Sequence, residues 1–169
     1  NLLRDHGYPE ARVSLAEDRL HDRAVRIRYQ ALPGPPAVFG PIQIAGNTSV
    51  SDAVIRRELA YRPGESFRRS VVVESQRRLF NLELFDFVNI EALPVGEAGA
   101  EPGTVPTRVT VVEGDHRKIL FSGGYGTEEK FRVEGTWRHV NFYGGARVLN
   151  ARAKWSSLDQ GLEADILQP

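Results

Sequence analysis

The stretch that decides the fold begins at Phe39 and reads FGPIQIAGNTSVSDAVIRREL. It continues with PGESF from Pro63, SQRRLFNLELFDFVNIEAL from Ser75 and TRVTVVEG from Thr107. Short β-branched runs bounded by Gly and Asn indicate strands, whereas capped runs with apolar residues every three or four positions indicate helices. The predicted order is therefore strand, helix, helix, strand, strand.

Both helices are predicted from their ends and from their apolar faces. Ser51 is a favourable N-cap for the first helix, and Pro63-Gly64 ends it. The second helix is predicted from about Arg68 to Leu82, and the turn before the first contains Gly46, which tolerates positive φ. The apolar positions of the helices and strands predict one compact core made of Val54, Leu59, Leu79, Leu82, Val88, Ile90, Val109 and Val111.

Residues 1–32 are predicted to be the C-terminal part of a similar module. They read as a helix end stopped by Gly7, then strands at Ala11–Leu15 and Ala24–Tyr29 around a polar turn at Glu17–Asp22. The prolines of Leu32–Pro36 predict a stiff linker to the next module. Because the chain opens in the middle of an element, we expect it to be a piece of something longer.

The sequence pattern changes at Lys118, and from there apolar and polar residues alternate in successive predicted strands. One predicted face carries Phe131, Val133, Gly135, Trp137, Leu149, Ala151, Ala153 and Trp155, and a third alternation begins at Leu162. Alternation over strands of about ten residues with aromatic ends is typical of outer-membrane barrels. A water-soluble antiparallel sheet with one wet face alternates in the same way, so the pattern alone leaves both readings open.

Composition narrows the class of function. Lys plus Arg and Asp plus Glu each number 22, and this balance argues against a nucleic-acid binder, which needs a basic surplus. The chain has no cysteine and therefore no disulfide or cysteine metal site. It also has no run of roughly 20 apolar residues that would form a membrane helix.

Motifs for catalysis or metal binding are weak. The histidines His6, His21, His116 and His139 show no metal-ligand spacing, and Gly123–Gly126 lacks the Lys-Ser/Thr pair of a phosphate loop. Glu128-Glu129 is interpreted as a solvated hairpin tip, and the basic cluster Arg68-Arg69 with Arg77-Arg78 as a wet helix face. The sequence predicts neither an enzyme nor a cofactor nor a metal site.

The order and spacing of several short motifs in this chain resemble those of a known family. The unit from Phe39 to Gly114, with Gly46-Asn47, Arg57-Glu58-Leu59 and Glu113-Gly114, resembles a POTRA domain. The stretch from Phe121, with Gly124-Tyr125-Gly126 and Asn141-Phe142, resembles the opening strands of the surface-antigen barrel in the BamA/TamA superfamily of outer-membrane assembly factors.

The resemblance implies an α+β fold in three parts. Residues 1–32 would end a preceding POTRA domain, residues 37–114 would form a complete βααββ POTRA domain, and residues 117–169 would be the first antiparallel strands of an incomplete barrel. It also implies a location in the outer membrane of a Gram-negative bacterium, with the POTRA domains in the periplasm. The expected partners are unfolded outer-membrane or secreted proteins, accessory periplasmic proteins, and outer-membrane lipid around the complete barrel.

Two strands are the candidate sites of such an assembly factor. An exposed sheet edge can bind extended chains by β-augmentation, and the predicted client-binding edge is Phe87, Val88, Asn89, Ile90, Glu91, Ala92 and Leu93. The resemblance implies that the first barrel strand borders the seam where clients enter, and this strand comprises Lys118, Ile119, Leu120, Phe121, Ser122, Gly123, Gly124, Tyr125 and Gly126. The alternatives are a two-partner secretion transporter for a dedicated substrate and a soluble periplasmic docking scaffold.

Overall fold

The computed structural model describes residues 2–20, 24–96, 101–127 and 130–169. It has a short 3-10 turn at Leu3–Asp5, two α-helices and nine strands among these residues. The elements are β1 Arg12–Leu20, β2 Ala24–Leu32, β3 Val38–Ala45, α1 Asp52–Glu58, α2 Arg69–Asn81, β4 Phe85–Ala92, β5 Thr104–Glu113, β6 Arg117–Gly126, β7 Lys130–Val140, β8 Val148–Ser156 and β9 Gln160–Leu167.

The strands form three sheets. β1 and β2 make an antiparallel ribbon, β3, β5 and β4 make a three-stranded sheet in that order, and β6 to β9 make a four-stranded sheet in chain order. β5 is therefore the middle strand of the second sheet although it comes last in sequence. The predicted α+β class and the strand, helix, helix, strand, strand order are confirmed.

The chain divides into two compact units. The first contains Asn1–Gln43, Leu59–Gln76 and Asn89–Val109, and the second contains Ile44–Glu58, Arg77–Val88 and Thr110–Pro169. The strands of the three-stranded sheet contribute residues to both. The predicted boundaries at residues 1–32, 37–114 and 117–169 follow the order of elements and stay a prediction.

An aromatic cluster forms the centre of the first unit. The ring of Phe39 stacks on Tyr61 at a centroid distance of 4.2 Å and lies 5.1 Å from Phe67. The hydroxyl of Tyr61 donates to Thr107 Oγ1 at 3.0 Å, so the buried phenol is satisfied. Burial raises the pKa of Tyr61, and the bond to Thr107 opposes the rise.

The core of the second unit comes from both helices and from the ends of strands. Its fully or nearly fully buried apolar side chains are Val50, Val54, Ile55, Leu79, Leu84, Phe85, Val88, Val111, Val140, Ala146 and Val148. Val50 and Ile55 flank the start of α1, where Ser51 O accepts from Val54 N at 3.0 Å. Seven residues are too few for a stable isolated helix, so α1 depends on this packing.

One predicted core residue is wrong. Leu82 is only half-buried, whereas Leu84 is fully buried. α2 ends at Asn81, and Glu83 takes a positive φ of 56° in the turn that follows. Because the chain leaves the helix before Leu82, the helical spacing no longer applies there. The other seven predicted core residues are all buried.

The first strand differs from its prediction. β1 runs to Leu20, and its register pairs Glu17 with Ile27 and Leu20 with Ala24. Residues 17–20 therefore belong to a strand and not to the predicted polar turn. Backbone hydrogen bonds between the two strands hold such a ribbon together even where its residues are polar. The polar composition of residues 17–20 therefore wrongly predicted a turn. The rest of the predicted turn, with His21, lies outside the described residues.

Candidate functional site

The predicted client-binding edge, residues 87–93, covers most of β4. β5 is the only strand beside β4 among the described residues, so β4 is an edge strand of the three-stranded sheet. Val88, Ile90 and Leu93 are buried, whereas Phe87, Asn89 and Glu91 are exposed. The strand is thus anchored through one face and open to water on the other, with Phe87 52% exposed.

β3 is the opposite edge of the same sheet, and its start is covered. Val38 forms an isolated bridge with Ser66. Phe39 N donates to Glu65 O, and Gly64 N donates to Phe39 O, both at 2.8 Å. The loop before α2 therefore occupies this part of the edge. Pro41 within β3 has no N–H to offer a further strand, so β4 is the more available edge.

Glu113, at the end of β5, holds the loop that precedes α1. Its Oε1 accepts from the backbone N–H groups of Thr48 at 2.6 Å, Ser49 at 2.9 Å and Val50 at 2.9 Å. Its Oε2 accepts from the hydroxyls of Thr48 and Ser49. Three successive amides facing one carboxylate make a compact anion cradle that the carboxylate of the chain itself fills.

This cradle changes the ionisation of the carboxylate. Desolvation raises the pKa of Glu113, but the hydrogen bonds from Ser49, Val50 and Thr48 outweigh it and lower the pKa from 4.5 to about 2. Glu113 was visible in the sequence only as part of Glu113-Gly114. No local signal connects it to a loop more than 60 residues earlier, so sequence reasoning missed its role.

The predicted seam strand, Lys118–Gly126, corresponds to β6, which begins one residue earlier. β6 pairs only with β7 among the described residues, from Arg117 opposite His139 to Gly126 opposite Lys130. Every residue of β6 is exposed. β6 is thus an edge strand, and Gly123–Gly126 lies in extended structure rather than in a phosphate loop. Glu128-Glu129 lies outside the described residues.

The register of β6 to β9 separates the four-stranded sheet into two chemically distinct faces. Ile119 pairs with Trp137, which pairs with Ala151, which pairs with Ala164. The apolar face comprises Ile119, Phe121, Gly123, Tyr125, Phe131, Val133, Gly135, Trp137, Leu149, Ala151, Ala153, Trp155, Leu162, Ala164 and Ile166. Phe121, Phe131 and Leu162 are 78%, 66% and 83% exposed, so the described residues leave this face largely uncovered.

Gly135 shapes the apolar face. A Cβ added there would come within 3.2 Å of the Phe121 ring, so the glycine makes room for that ring on the neighbouring strand. A shallow apolar groove of about 260 Å³ runs beside it, between Trp137, Ala153 and Leu162. Large side chains beside small ones give the face a ridged surface.

The opposite face is charged and internally paired. Arg152 Nε lies 3.3 Å from Glu134 Oε1, and its Nη1 lies 4.0 Å from Glu163 Oε2. Asn150 Nδ2 donates to Asp165 Oδ2 at 2.8 Å. These residues sit on neighbouring strands, so charges that alternate in sequence become complementary across the sheet. The face is suited to contact with water.

The described part of the chain contains no group of three or more His, Cys, Asp or Glu side chains placed to hold a metal ion. In the same part, no helix has the length and apolar character needed to cross a membrane.

The fold defines a class: a βααββ module followed by antiparallel strands with one apolar and one charged face. The sequence model of the POTRA family, described as "Surface antigen variable number repeat", matches residues 37–114. Residues 37–114 thus form a POTRA domain, and the resemblance to POTRA-containing proteins of the BamA type seen in the sequence is confirmed.

Individual relatives agree with this assignment. The chain is similar to the outer membrane protein assembly factor BamA of Neorickettsia risticii, with 32% identity over 69% of this chain and 15% of that protein. It is 23% identical to BamA of Nitratidesulfovibrio vulgaris over 98% of this chain and 20% of that protein. The chain therefore spans about a fifth or less of the length of these relatives.

A solved structure shares the fold. The crystal structure of BamA from Haemophilus ducreyi lacking POTRA domains 1–3 matches with a TM-score of 0.80 and 23% identity. The match covers 92% of this chain and 29% of the other.

Proposed function

We propose that this chain is part of an outer-membrane protein assembly factor, with its POTRA domain in the periplasm and its four-stranded sheet in the wall of a membrane barrel. Assembly-factor relatives support the family role. The exposed apolar face supports the barrel role, because closed barrels present alternate residues of each strand to lipid. Four strands cannot close a barrel, so the sheet requires further strands.

The client-binding step is proposed to occur at β4. The observation that carries this proposal is that, among the residues that the structure describes, β4 has a strand neighbour on one side only, while Val88 and Ile90, with Leu93 just beyond the strand, fix it to the core. An edge strand offers backbone donors and acceptors to an extended chain, and this pairing makes little demand on sequence. Such an edge suits a protein that handles many unfolded β-rich clients.

The client would then pass to the edge formed by β6. This strand is paired on one side by β7 and is exposed along its whole length. In a barrel it would border the seam at which an incoming strand can join by the same backbone pairing. The two proposed sites thus use one kind of interaction in succession.

Photocrosslinking tests the β4 step. A benzoylphenylalanine at Asn89 or Glu91, both exposed on β4, should capture a ten-residue alternating Val/Thr peptide added to the full chain in detergent micelles. The matched peptide carries N-methyl groups on alternate amides along one edge and keeps every side chain. Because it cannot pair along that edge, we expect its capture to fall at least about tenfold.

Gln43 is the control position, because it is exposed on β3 at the other edge of the sheet. Capture at Gln43 but not at Asn89 would move the site to β3. Equal capture of the methylated and unmethylated peptides at Asn89 would show binding without backbone pairing, and the β-augmentation proposal would be wrong.

A further inference from the structure

A groove of about 430 Å³ lies at the end of β4 in the first unit. Its lining combines an apolar floor with a rim of arginines. The floor includes Phe67, Leu93 and Val105, which are buried, and the rim consists of Arg4, Arg12 and Arg69. The groove begins where β4 ends, since Ala92, Leu93 and Pro94 also line it.

Hydrogen bonds hold the two walls of the groove together. Ser70 N, in the first turn of α2, donates to Asp5 Oδ1 at 2.7 Å. Ala37 N donates to Gly7 O at 2.8 Å, and Arg4 Nη2 donates to Ala11 O at 3.4 Å. The segment before β1 is thus tied to α2 and to the start of β3, which brings Arg4, Arg12 and Arg69 to the lining of one groove.

The charges of the groove are not balanced by its own residues. Among the described residues of the lining, Glu10 is the only acidic one, against three arginines. No ion pair within the described ranges involves Arg12 or Arg69. Arg69 begins α2, whose first turn has no acidic residue, although a helix N-terminus favours negative charge. Helix stability does not explain a cation at this position.

We propose that this groove binds an acidic side chain, Asp or Glu, of the extended peptide that pairs with β4. The proposal rests on the proposed function, since the peptide is the client strand on β4. A strand paired with β4 that continues past Leu93 enters the groove. There its apolar residues meet Phe67 and Val105, and a carboxylate meets the planar guanidinium groups of the rim, which hydrogen-bond carboxylates in pairs. The groove would fix the register of a client that the backbone edge alone leaves free to slide.

A pair of peptides tests the charge preference. Both are alternating ten-residue strands amidated at the C-terminus, and they differ only in Glu or Gln at the end expected to reach the groove. Binding to the full chain in detergent micelles at low salt should be roughly twofold to fivefold tighter for the Glu peptide, a range typical of exposed charge pairs. The preference should fade at high salt.

Charge reversal localises the effect. In the double variant Arg12→Glu and Arg69→Glu, the preference for Glu should vanish, and a Lys peptide should now bind better than the Gln peptide. Arg62→Glu is the matched control, because Arg62 is exposed and does not line the groove, and it should retain the preference for Glu. Unchanged thermal unfolding shows that the variants are folded.

The outcomes separate this inference from the proposed function. If the Glu and Gln peptides bind the parent chain equally well and both are captured at Asn89, the groove proposal is wrong and the β4 proposal stands. If Arg62→Glu removes the preference as fully as the double variant does, the effect is one of net charge, and the groove proposal is again wrong. If neither peptide binds, both proposals are overturned.

Discussion

The carboxylate of Glu113 accepts a hydrogen bond from the backbone N–H of Val50 at 2.9 Å, which joins the end of β5 to the residue before Ser51 and α1. Replacing Glu113 by Gln removes the charge and should lower the free energy of unfolding at pH 7 by about 1–2 kcal/mol, since bonds to charged groups are the stronger ones. Urea unfolding of the two chains measures this difference. Glu101→Gln is the control, because Glu101 is exposed.

The pH dependence of the same bond has a definite sign. The pKa of Glu113 is lowered from 4.5 to about 2 in the folded chain. Its stabilising contribution is therefore complete above about pH 4.5 and is lost as the pH falls through about 2. The difference between the parent chain and Glu113→Gln should shrink when unfolding is measured at pH 2.5 instead of pH 7. A difference that grows on acidification would contradict the cradle.

Alanine substitutions at Gly46 and Gly64 separate two costs of replacing a glycine, which are steric overlap with a neighbouring strand and strain of the backbone conformation. Both have positive φ, 93° and 91°, but a Cβ at Gly46 would overlap the carbonyl oxygen of Val111, whereas a Cβ at Gly64 meets nothing within 4 Å. Gly64→Ala should lower the free energy of unfolding by about 1–2 kcal/mol, because alanine is strained at this positive φ. Gly46→Ala should lower the free energy of unfolding clearly more, because β5 or the turn must also move to make room for the added Cβ. Equal losses in calorimetry would mean that the approach to Val111 is looser than described.

Leu79 and Phe80 are neighbours on α2 with opposite surroundings. Leu79 is fully buried, whereas Phe80 is 57% exposed. Leu79→Ala should lower the free energy of unfolding by about 2–5 kcal/mol through lost transfer energy and a cavity. Phe80→Ala, although it removes a larger side chain, should cost less than about 1 kcal/mol by denaturant titration. A reversal of this order would mean that the helix is rotated.

Trp155 reports on the apolar face of the four-stranded sheet. It is 53% exposed, and it pairs with Val133 on that face. In a Trp137→Phe variant, the remaining tryptophan should emit at shorter wavelength in detergent than in a low-detergent buffer, and brominated detergent chains should quench it strongly. Strong quenching by aqueous iodide with none by brominated chains would favour the soluble scaffold over the barrel.

The parts of the fold that were predictable depend on local chemistry. Ser51 directly precedes α1, and the alternation from Phe131 to Trp137 separates the two faces of β7, because period and punctuation act within a few residues. The predicted end of the first helix at Pro63-Gly64 is wrong, since α1 ends at Glu58. Leu82 was assigned wrongly because a single turn at Glu83 ends the helical phase. A periodic pattern contains no sign of where its own period stops.

The proposed sites were predictable to different degrees. A hairpin made of residues 85–113 requires β4 and β5 to be neighbours, but the sequence does not determine which of them β3 joins. Placing β3 beside β5 is a tertiary choice, and it makes β4 an edge. The arginine groove needed the same information, because Arg12 and Arg69 are far apart in sequence and line one groove only because contacts such as that of Asp5 with Ser70 join their segments.

The strand order β3, β5, β4 also constrains how the protein can be made. A ribosome releases β3 and β4 first, and neither has a partner in this sheet until Thr104–Glu113 has emerged. Both strands of the nascent chain therefore stay unpaired until β5 has been synthesised. A chain that is truncated anywhere before β5 cannot form the three-stranded sheet. Such truncated products would expose both strands at once, which makes them natural targets for proteases and chaperones.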